Sequence, residues 1–420
     1  MRLIERGLLL TVVAATCALG ATPALAWSAA GVALCLLFLG VVVLGALRDL
    51  ASGWYLRWPV VFLLYCGIMT MLGPAPARSV FFVAQWSAWL AGGYVAFACA
   101  RQSGARLLGS GLVVFALAQA VYGLVQYLTG HQKIFWYQKT KYLEDATGTY
   151  LNHNHLAGLL TLALPAALAL GVPRLLARRA QGAPWCTASA LILLGLVFSR
   201  SRMGMASALA ALILYSVYLA VNSRRRVVWA WLAMLIMAAT AYALWIGLEP
   251  VSRRFAALAQ PGYLSVEGRL TLWRDTARLV AERPWLGWGP GMFPSVYPRV
   301  RTEPSDVQWM EAHNDYLQFL CELGMVGTAA FFGPLWTLVA GLARQAWRAP
   351  RLEGAWGMAI ASGLAGILIH SFADFHFYVP ANAMWISVMT GLGAAEYISL
   401  RTARLRELSC TEPAFPRPRC

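Results

Sequence analysis

Charged side chains are scarce in this chain of 420 residues: only 12% are charged, and acidic residues are the fewest, with 18 Asp and Glu against 34 Lys and Arg. A soluble domain carries about 25% charged residues, so the composition excludes an ordinary water-soluble enzyme. P-loop, dinucleotide-binding and zinc-ligand motifs are absent, and the eight cysteines do not imply a disulfide framework. We therefore expect neither a cofactor nor a bound metal.

Long apolar runs are what the chain has instead. Hydrophobic residues make up 59% of the sequence, and the mean hydropathy is +0.59. The runs are continuous rather than alternating, so they predict membrane-crossing helices rather than the strands of a barrel. The expected fold is an all-α polytopic membrane protein of about 12 transmembrane helices. We place them at roughly 7–26, 29–47, 58–73, 80–100, 107–128, 156–172, 184–198, 203–221, 227–248, 316–342, 356–372 and 377–400.

The distribution of Lys and Arg orients this bundle. If the N-terminus is cytoplasmic, 20 of the 34 basic residues fall in cytoplasmic segments, as the positive-inside rule predicts. Both termini are then expected in the cytoplasm. The basic charge is dispersed over loop ends, so nucleic acid is not an expected partner. The first run resembles a signal peptide, but a second run follows at once, which favours a retained helix.

Fourteen Lys and Arg lie on the opposite side, where topology gives no reason for them. An anionic ligand on the outer face would explain them. Contact with anionic lipid headgroups, or with neighbouring acids such as Glu267, Asp275 and Glu282, is the simpler alternative for a typical member of the set.

Two of the outer connections are long enough to carry function. The predicted organisation is helices one to five in 1–128, a periplasmic loop at 129–155, helices six to nine in 156–248, a large periplasmic loop at 249–315, helices ten to twelve in 316–400 and a cytoplasmic tail at 401–420. The large loop contains an amphipathic pattern, which predicts a short helix on the membrane surface or over a cavity. Its apolar stripe is formed by Leu270, Trp273, Ala277 and Val280.

The segment AHNDYLQFLCELGMVG, residues 312–327, places polar residues at the start of an apolar run. His313 comes just before the predicted helix, and Asn314 and Asp315 can cap it. The positive end of a helix disfavours a protonated imidazole, so a neutral His313 is suited to act as a general base. The alternative is a histidine that only completes the cap.

The segment SRSRMG places Arg200 and Arg202 in a very short turn between two apolar runs. Arginines at such a position are costly unless they are paired or face a polar cavity, and phosphate is the ligand that matches the guanidinium best. The alternative is an ion pair with a buried acid such as Glu322 or Asp374.

Two further polar clusters lie at predicted helix ends. In NHNH, Asn152, His153 and His155 can bind sugar hydroxyls or cap the sixth span, and two histidines alone are a weak metal signal. In HSFADFH, His370 and Asp374 are four residues apart and are expected to share a helix face, with His376 nearby. This second cluster is either a proton relay or a structural lock.

Together these segments resemble the O-antigen ligase and polymerase superfamily. The resemblance runs from about Gly148 to Leu392 and rests on GTYLNHNHLAGLLTLALPAAL, SRSRMG, GRLTLWRDTARLVAERPWLGWGPGMF, AHNDYLQFLCELGMVG and FADFHFYVPANAMWISVMTGL. It implies a bacterial inner-membrane enzyme, active on the periplasmic face, that performs an inverting, metal-independent glycan transfer from undecaprenyl pyrophosphate. It also implies catalytic roles for His313, Arg202 and Arg269, with Arg200 as the alternative to Arg202. We assign substrate binding to Arg200, Arg274, Asn152, His153, His155, Asn314 and Asp374.

The acceptor remains open at this stage. A ligase uses lipid A–core, a polymerase joins lipid-linked repeat units, and an oligosaccharyltransferase modifies a protein. We place the ligase type first. The expected partners are the undecaprenyl pyrophosphate-linked glycan, lipid A–core or a glycan acceptor, and membrane lipids. A secondary transporter is the alternative outside this class, although the large loop is off-centre and no repeated halves are visible.

Overall fold

The fold was obtained as a computed structural model, which describes residues 1–46, 54–104, 106–231, 266–302 and 308–411 with isolated positions between 233 and 241. These residues are mostly helical. The α-helices are α1 Arg2–Cys17, α2 Ala24–Val43, α3 Trp54–Leu72, α4 Pro76–Ser103, α5 Arg106–Thr129, α6 His153–Leu176, α7 Ala183–Phe198, α8 Arg202–Ser223, α9 Val266–Glu282, α10 Phe293–Val296, α11 Asp315–Arg348, α12 Ala355–His370 and α13 Pro380–Thr411. Two short strands, β1 Lys133–Ile134 and β2 Tyr137–Gln138, form an antiparallel pair.

Seven helices in the described part of the chain are long and apolar enough to cross a membrane, and this supports the predicted polytopic all-α class. They are Ala24–Val43, Pro76–Ser103, Leu107–Thr129, His153–Leu176, Ala180–Phe198, Arg202–Ser223 and Asp315–Arg348. Two shorter apolar helices, Arg57–Leu72 and Ala355–His370, accompany them. The number of twelve stays a prediction, because the ninth predicted span, 227–248, lies largely outside the described residues.

The first helix ends earlier than the sequence predicts. The apolar run suggested a span at 7–26, but α1 ends at Cys17, and Leu19, Gly20 and Ala21 all have positive φ angles. The ring of Tyr150 is responsible, since it occupies the space beside Gly20: a Cβ added there would be 2.7 Å from the ring. A contact from the loop before α6 thus decides where α1 ends.

Glycines allow the central helices to pack backbone to backbone. A Cβ on Gly391 of α13 would lie 2.1 Å from the carbonyl oxygen of Gly93 in α4, and one on Gly363 of α12 would lie 2.6 Å from that of Leu162 in α6. Such small-residue contacts are how membrane helices gain close packing without a hydrophobic driving force. They make α6 and α13 the buried centre of the bundle.

The connections that carry polar residues meet at one end of the bundle, which we call the site end. Here the α3–α4, α5–α6, α7–α8 and α12–α13 connections and the start of α11 are joined by hydrogen bonds. The amide of Ala146 donates to the carbonyl of Phe198, and the amide of Asp315 donates to that of Ser371. The loop after α9 also reaches this end, because the hydroxyl of Ser79 donates to the carbonyl of Pro290.

The long helix α11 is interrupted at Gly324, which has φ 63° and ψ −173°. The loop after α9 fills the interruption. The amides of Trp288 and Gly289 donate to the carbonyls of Cys321 and Glu322, and the amide of Met325 donates to the carbonyl of Pro284. Non-helical backbone in a span requires such replacement partners, because the hydrocarbon region offers no water.

The side chain of Glu322 adds a second connection at the same place. Its carboxylate accepts hydrogen bonds from the amides of Gly291 and Phe293 at 2.9 and 3.0 Å, and from the hydroxyl of Tyr378 at 2.8 Å. The expectation that Glu322 would pair with an arginine of the SRSRMG turn finds no support in these contacts. Glu322 instead joins the loop after α9 to the α12–α13 connection.

The apolar stripe predicted for α9 is only partly correct, because Trp273 and Val280 pack against the core but the other two residues do not. The buried face is formed by Leu272, Asp275, Thr276 and Leu279, whereas Leu270 is half exposed and Ala277 is exposed. The reason is the carboxylate of Asp275, which accepts hydrogen bonds from the amide and hydroxyl of Thr302 at 3.0–3.1 Å. A buried, satisfied aspartate therefore occupies the inner face, and the hydrophobic periodicity alone does not reveal this face.

We expect Gly324→Ala to destabilise the protein by about 1–3 kcal/mol, because this backbone conformation is nearly restricted to glycine and the new Cβ would lie 2.3 Å from the carbonyl of Trp285. The measurement is the melting temperature in detergent. Gly333→Ala is the control, since Gly333 lies in the same helix and a Cβ there meets no atom within 4 Å. Equal melting temperatures for the two variants would contradict the role of the interruption.

Candidate active site

His313 lies at the centre of the site end, directly before α11. Asn314 is the N-cap residue, and its side chain accepts from the amide of Leu317 at 3.0 Å, so the predicted capping is confirmed. His313 itself has a φ of 50°, and this left-handed turn is how the chain reverses before the helix. The imidazole is buried, with Nδ1 3.5 Å from Oδ1 of Asp374.

Asp374 is held by the connection between α12 and α13. The helix α12 ends at His370, so the expectation that His370 and Asp374 share a helix face is wrong. Asp374 follows in a turn whose backbone is tied to α11: the amide of Asp315 donates to the carbonyls of Ser371 and Asp374, and the amide of Phe377 donates to the carboxylate of Asp315. This turn directs the carboxylate of Asp374 to His313 instead.

Aromatic and imidazole rings pack next to His313 and Asp374. The ring of Phe375 makes edge contacts with His313 and His155, at centroid distances of 4.7 and 4.9 Å. His376 lies 4.1 Å from His370 and 6.3 Å from His155. His155, His313, His370 and His376 thus belong to one buried cluster with Phe375, to which α6, the segment before α11, α12 and the last connection each contribute.

Arg269 joins this cluster from α9. Its Nη1 donates to the carbonyl of Ala373 at 3.0 Å, in the same turn as Asp374. The neighbouring Trp273 donates from Nε1 to the carbonyl of Ala312, beside His313, at 2.9 Å. The charge of Arg269 also acts on His153 and His370. The predicted base and one predicted arginine are therefore adjacent.

His153 links the cluster to the loop before α6. Its Nδ1 is 3.2 Å from the carboxylate of Asp145, and its ring stacks on Tyr142. Asp145 also contacts Arg200, which pairs with Glu144 as well, at 3.5 and 3.6 Å. The acidic partners of Arg200 are thus in the loop, not Glu322 or Asp374 as considered from the sequence.

The other residues that the sequence predicted for the site differ in burial and in the element that carries them. Arg202 is the first residue of α8, half-buried, next to the cap residue Ser201. Arg274 is exposed on α9. Asn152 caps α6 by accepting from the amide of Asn154, which agrees with the capping alternative. His155 is buried in the ring cluster.

Buried polar atoms without a hydrogen-bond partner concentrate in this cluster. Of the fourteen such side-chain atoms in the described part of the chain, eight belong to one group of neighbours: His155, Arg269, His313, His370, Ser371, Asp374 and His376. Native proteins satisfy most buried polar groups, so such a concentration indicates a site that receives a polar ligand. No group of three metal-ligating side chains arranged to hold an ion occurs among the described residues.

Burial and neighbouring charged groups shift the pKa values of the titratable residues of the site that lie outside the spans. Burial acts to raise the pKa of Asp374, but His313, His155 and His376 hold it well below its ordinary value, so the carboxylate is charged. Burial, reinforced by Asp374 and Glu322, raises the pKa of Glu311 to about 7. Burial together with His370 lowers the pKa of His376, which is therefore neutral.

Sequence analysis did not identify several residues that shape this site. Glu311 and Trp273 could have been found from their positions beside His313 and Arg269. Asn382 had no such signal: its amide donates to the carbonyl of His155 and contacts Nδ1 of His376, while Tyr150 donates to its side-chain oxygen at 2.9 Å. Only the folded chain brings these four residues together.

We expect Glu311→Gln to change the pH dependence of stability. Because the folded state binds this proton more tightly than the unfolded chain, wild-type stability falls as the pH rises from the ordinary value of 4.5 to about 7. The variant lacks this pH-dependent loss. Above pH 7 its free energy of unfolding should therefore exceed that of wild type by up to about 3 kcal/mol. Melting temperatures from pH 4.5 to 8 test this, with the exposed Glu353→Gln as control. Parallel profiles for wild type and Glu311→Gln would contradict it.

Comparison with known families gives one match. Residues 187–332 match the family model described as O-antigen ligase (Wzy_C). This stretch contains Arg202, Arg269 and His313, whereas Asp374 lies beyond it. A search of the curated proteins finds no match. The match indicates an O-antigen ligase-like function and a glycosyltransferase-like membrane enzyme that acts on lipid-linked glycans. With the motifs described above, it supports the resemblance of the chain to the O-antigen ligase superfamily.

Proposed function

We propose that the protein transfers a glycan from undecaprenyl pyrophosphate to lipid A–core on the periplasmic face of the bacterial inner membrane, without a metal ion and with inversion at the anomeric carbon. The observation that carries this proposal is the contact of His313 with Asp374 beside Arg269, in a cluster rich in unpartnered polar atoms. A base, an orienting carboxylate and a cation are the groups that such a transfer requires.

His313 is the proposed general base. Its Nδ1 faces the charged Asp374, which favours the tautomer with the proton on Nδ1 and leaves Nε2 to accept a proton. As the acceptor hydroxyl attacks the anomeric carbon, its proton passes to Nε2 of His313. The bond between that carbon and the diphosphate oxygen breaks, and undecaprenyl pyrophosphate leaves with the bonding electrons. Asp374 stabilises the imidazolium that forms.

The arginines are the proposed ligands of the diphosphate. Arg269 donates from Nη1 to the carbonyl of Ala373, and its buried Nε has no hydrogen-bond partner among the described residues. Arg202 begins α8 at the same end of the bundle, so both guanidiniums can approach the leaving group and stabilise its growing charge. Arg200 is already engaged by Glu144 and Asp145, so we give it a smaller part.

The apolar part of the carrier has a suitable place within the spans. A cavity of about 120 Å³ lies between α3, α4, α11 and α13 and is lined mainly by aromatic and aliphatic side chains, among them Phe62, Trp86, Phe331 and Phe377. Phe377 directly follows His376 of the cluster. We propose that part of the polyprenyl chain enters here, while the diphosphate stays at the helix ends.

We expect His313→Ala to lower the rate of transfer by about 10²–10⁴-fold, the usual contribution of a general base. The assay uses purified protein, undecaprenyl pyrophosphate-linked glycan and two acceptors in parallel, lipid A–core and the lipid-linked repeat unit, with gel shift as readout. His131→Ala is the control, since His131 is exposed and outside the cluster. Full activity of His313→Ala would remove the base assignment. A ladder from the repeat unit alone would show a polymerase.

We expect Arg202→Gln and Arg269→Gln each to lower kcat roughly 100-fold, the usual effect of removing a donor that stabilises developing charge. Arg200→Gln is the matched comparison within the same turn and should cost less than tenfold, because Arg200 is bound to carboxylates. Single-turnover rates with saturating acceptor measure this difference. A larger loss for Arg200→Gln than for Arg202→Gln would reverse the assignment of the two arginines.

A further inference from the structure

Two arginines outside the catalytic cluster lie over the same tryptophan. The guanidinium carbons of Arg283 and Arg299 are 4.2 and 4.6 Å from the ring centroid of Trp288. Their separation cannot exceed the sum of these distances, which is within the screening length of about 10 Å at 0.1 M salt. The two positive charges therefore repel each other, and the ring that holds both compensates only part of this repulsion.

Neither guanidinium is neutralised by a carboxylate in the described part of the chain. Arg278 of α9 shows the contrast, because it pairs with Asp275 at 3.2 Å. Both Arg283 and Arg299 are exposed at the surface. Two exposed guanidiniums that are held on one ring without a carboxylate partner are suited to bind an anion.

The tryptophan beneath this pair is fixed in place. Its Nε1 donates to the carbonyl of Leu279 and its amide donates to the carbonyl of Cys321, both at 2.9 Å. The side chain of Trp288 is only 6% exposed. The pair therefore rests on a rigid support, so little conformational freedom is lost when a ligand binds.

The position of the pair along α11 gives the depth in the membrane. Trp288 is bound to Cys321, six residues after the start of α11, or roughly 9 Å along its axis. Residues 284–286, which precede Trp288 in the same loop, lie further along α11. Here Trp285 and Leu286 are 66% and 48% exposed beside the interruption at Gly324. Exposed apolar side chains at that depth face lipid. The arginine pair thus lies between this lipid-facing tip and the end of the span, at headgroup level.

We propose that Arg283 and Arg299 bind a phosphate group of a lipid in the membrane leaflet at the site end. Phosphate at headgroup depth is the anion that this geometry meets, and the planar guanidinium fork matches its oxygens. Two sources carry this chemistry, a phosphorylated glycolipid and an ordinary phospholipid. The glycolipid reading rests on the proposed function, since the pair would then dock the phosphates of the acceptor while the sugar reaches His313.

Native mass spectrometry of the full-length protein in detergent tests lipid binding without any catalytic step. The probes are diphosphorylated lipid A, the same lipid A after removal of its phosphates, and phosphatidylglycerol. We expect Arg283→Gln combined with Arg299→Gln to reduce the retention of phosphorylated lipid on the order of thirtyfold. Arg278→Gln is the control, because this arginine is satisfied by Asp275, and it should retain the lipid as wild type does.

The outcomes separate the sources. Loss of lipid A with phosphatidylglycerol unchanged supports the glycolipid, and equal loss of both supports a phospholipid headgroup. Retention by the double variant equal to wild type, or wild-type retention that does not depend on the phosphates, would overturn the proposal. Transfer kinetics add an independent readout: the double variant should raise the KM for lipid A–core with kcat unchanged. A wild-type protein without transfer activity would contradict the proposed function and leave the binding result intact.

Discussion

The break in α11 at Gly324 is the constraint on which the rest of the site depends. A span cannot leave its backbone unpaired in the hydrocarbon region, so the loop after α9 must stay in the break and supply the missing partners. This requirement fixes the end of α9 against α11. It therefore places Arg269 beside His313, although the two residues are far apart in the chain and belong to different elements.

Three further hydrogen bonds connect these elements to the segments that hold His313 and Asp374. Glu322 joins the loop to Tyr378, Asp315 joins the start of α11 to the last connection, and Trp273 joins α9 to the segment before His313. In each of these three bonds, a buried or partly buried polar group obtains a hydrogen-bond partner. Eight of the fourteen unsatisfied atoms among the described residues lie in the enclosed cluster, so these hydrogen-bonded connections surround a site with unsatisfied polar groups. This is the arrangement expected of a preorganised electrostatic site.

The sequence predicted the features that depend on local pattern. Apolar run length indicated the membrane helices, and the position of His313 before such a run indicated a capped helix end with a candidate base. Features that depend on distant contacts were not predictable. Tyr150 ends α1, Asp275 shifts the buried face of α9 by about one residue, and the end of α12 at His370 directs Asp374 to His313. In each case a tertiary contact outweighs the local periodicity.

The basic residues on the site end can now be sorted by what compensates their charge. Arg200 and Arg278 are paired with carboxylates, and Lys139 is buried, donating to the carbonyl of Asp145, with its pKa lowered by burial. Arg269, Arg283 and Arg299 have only a carbonyl or an aromatic ring. The paired residues thus have a compensating group within the chain, whereas the other three fit the anionic ligands proposed above. Their two locations, beside the base and at headgroup depth, are where a lipid-linked diphosphate and a lipid phosphate would each meet the chain.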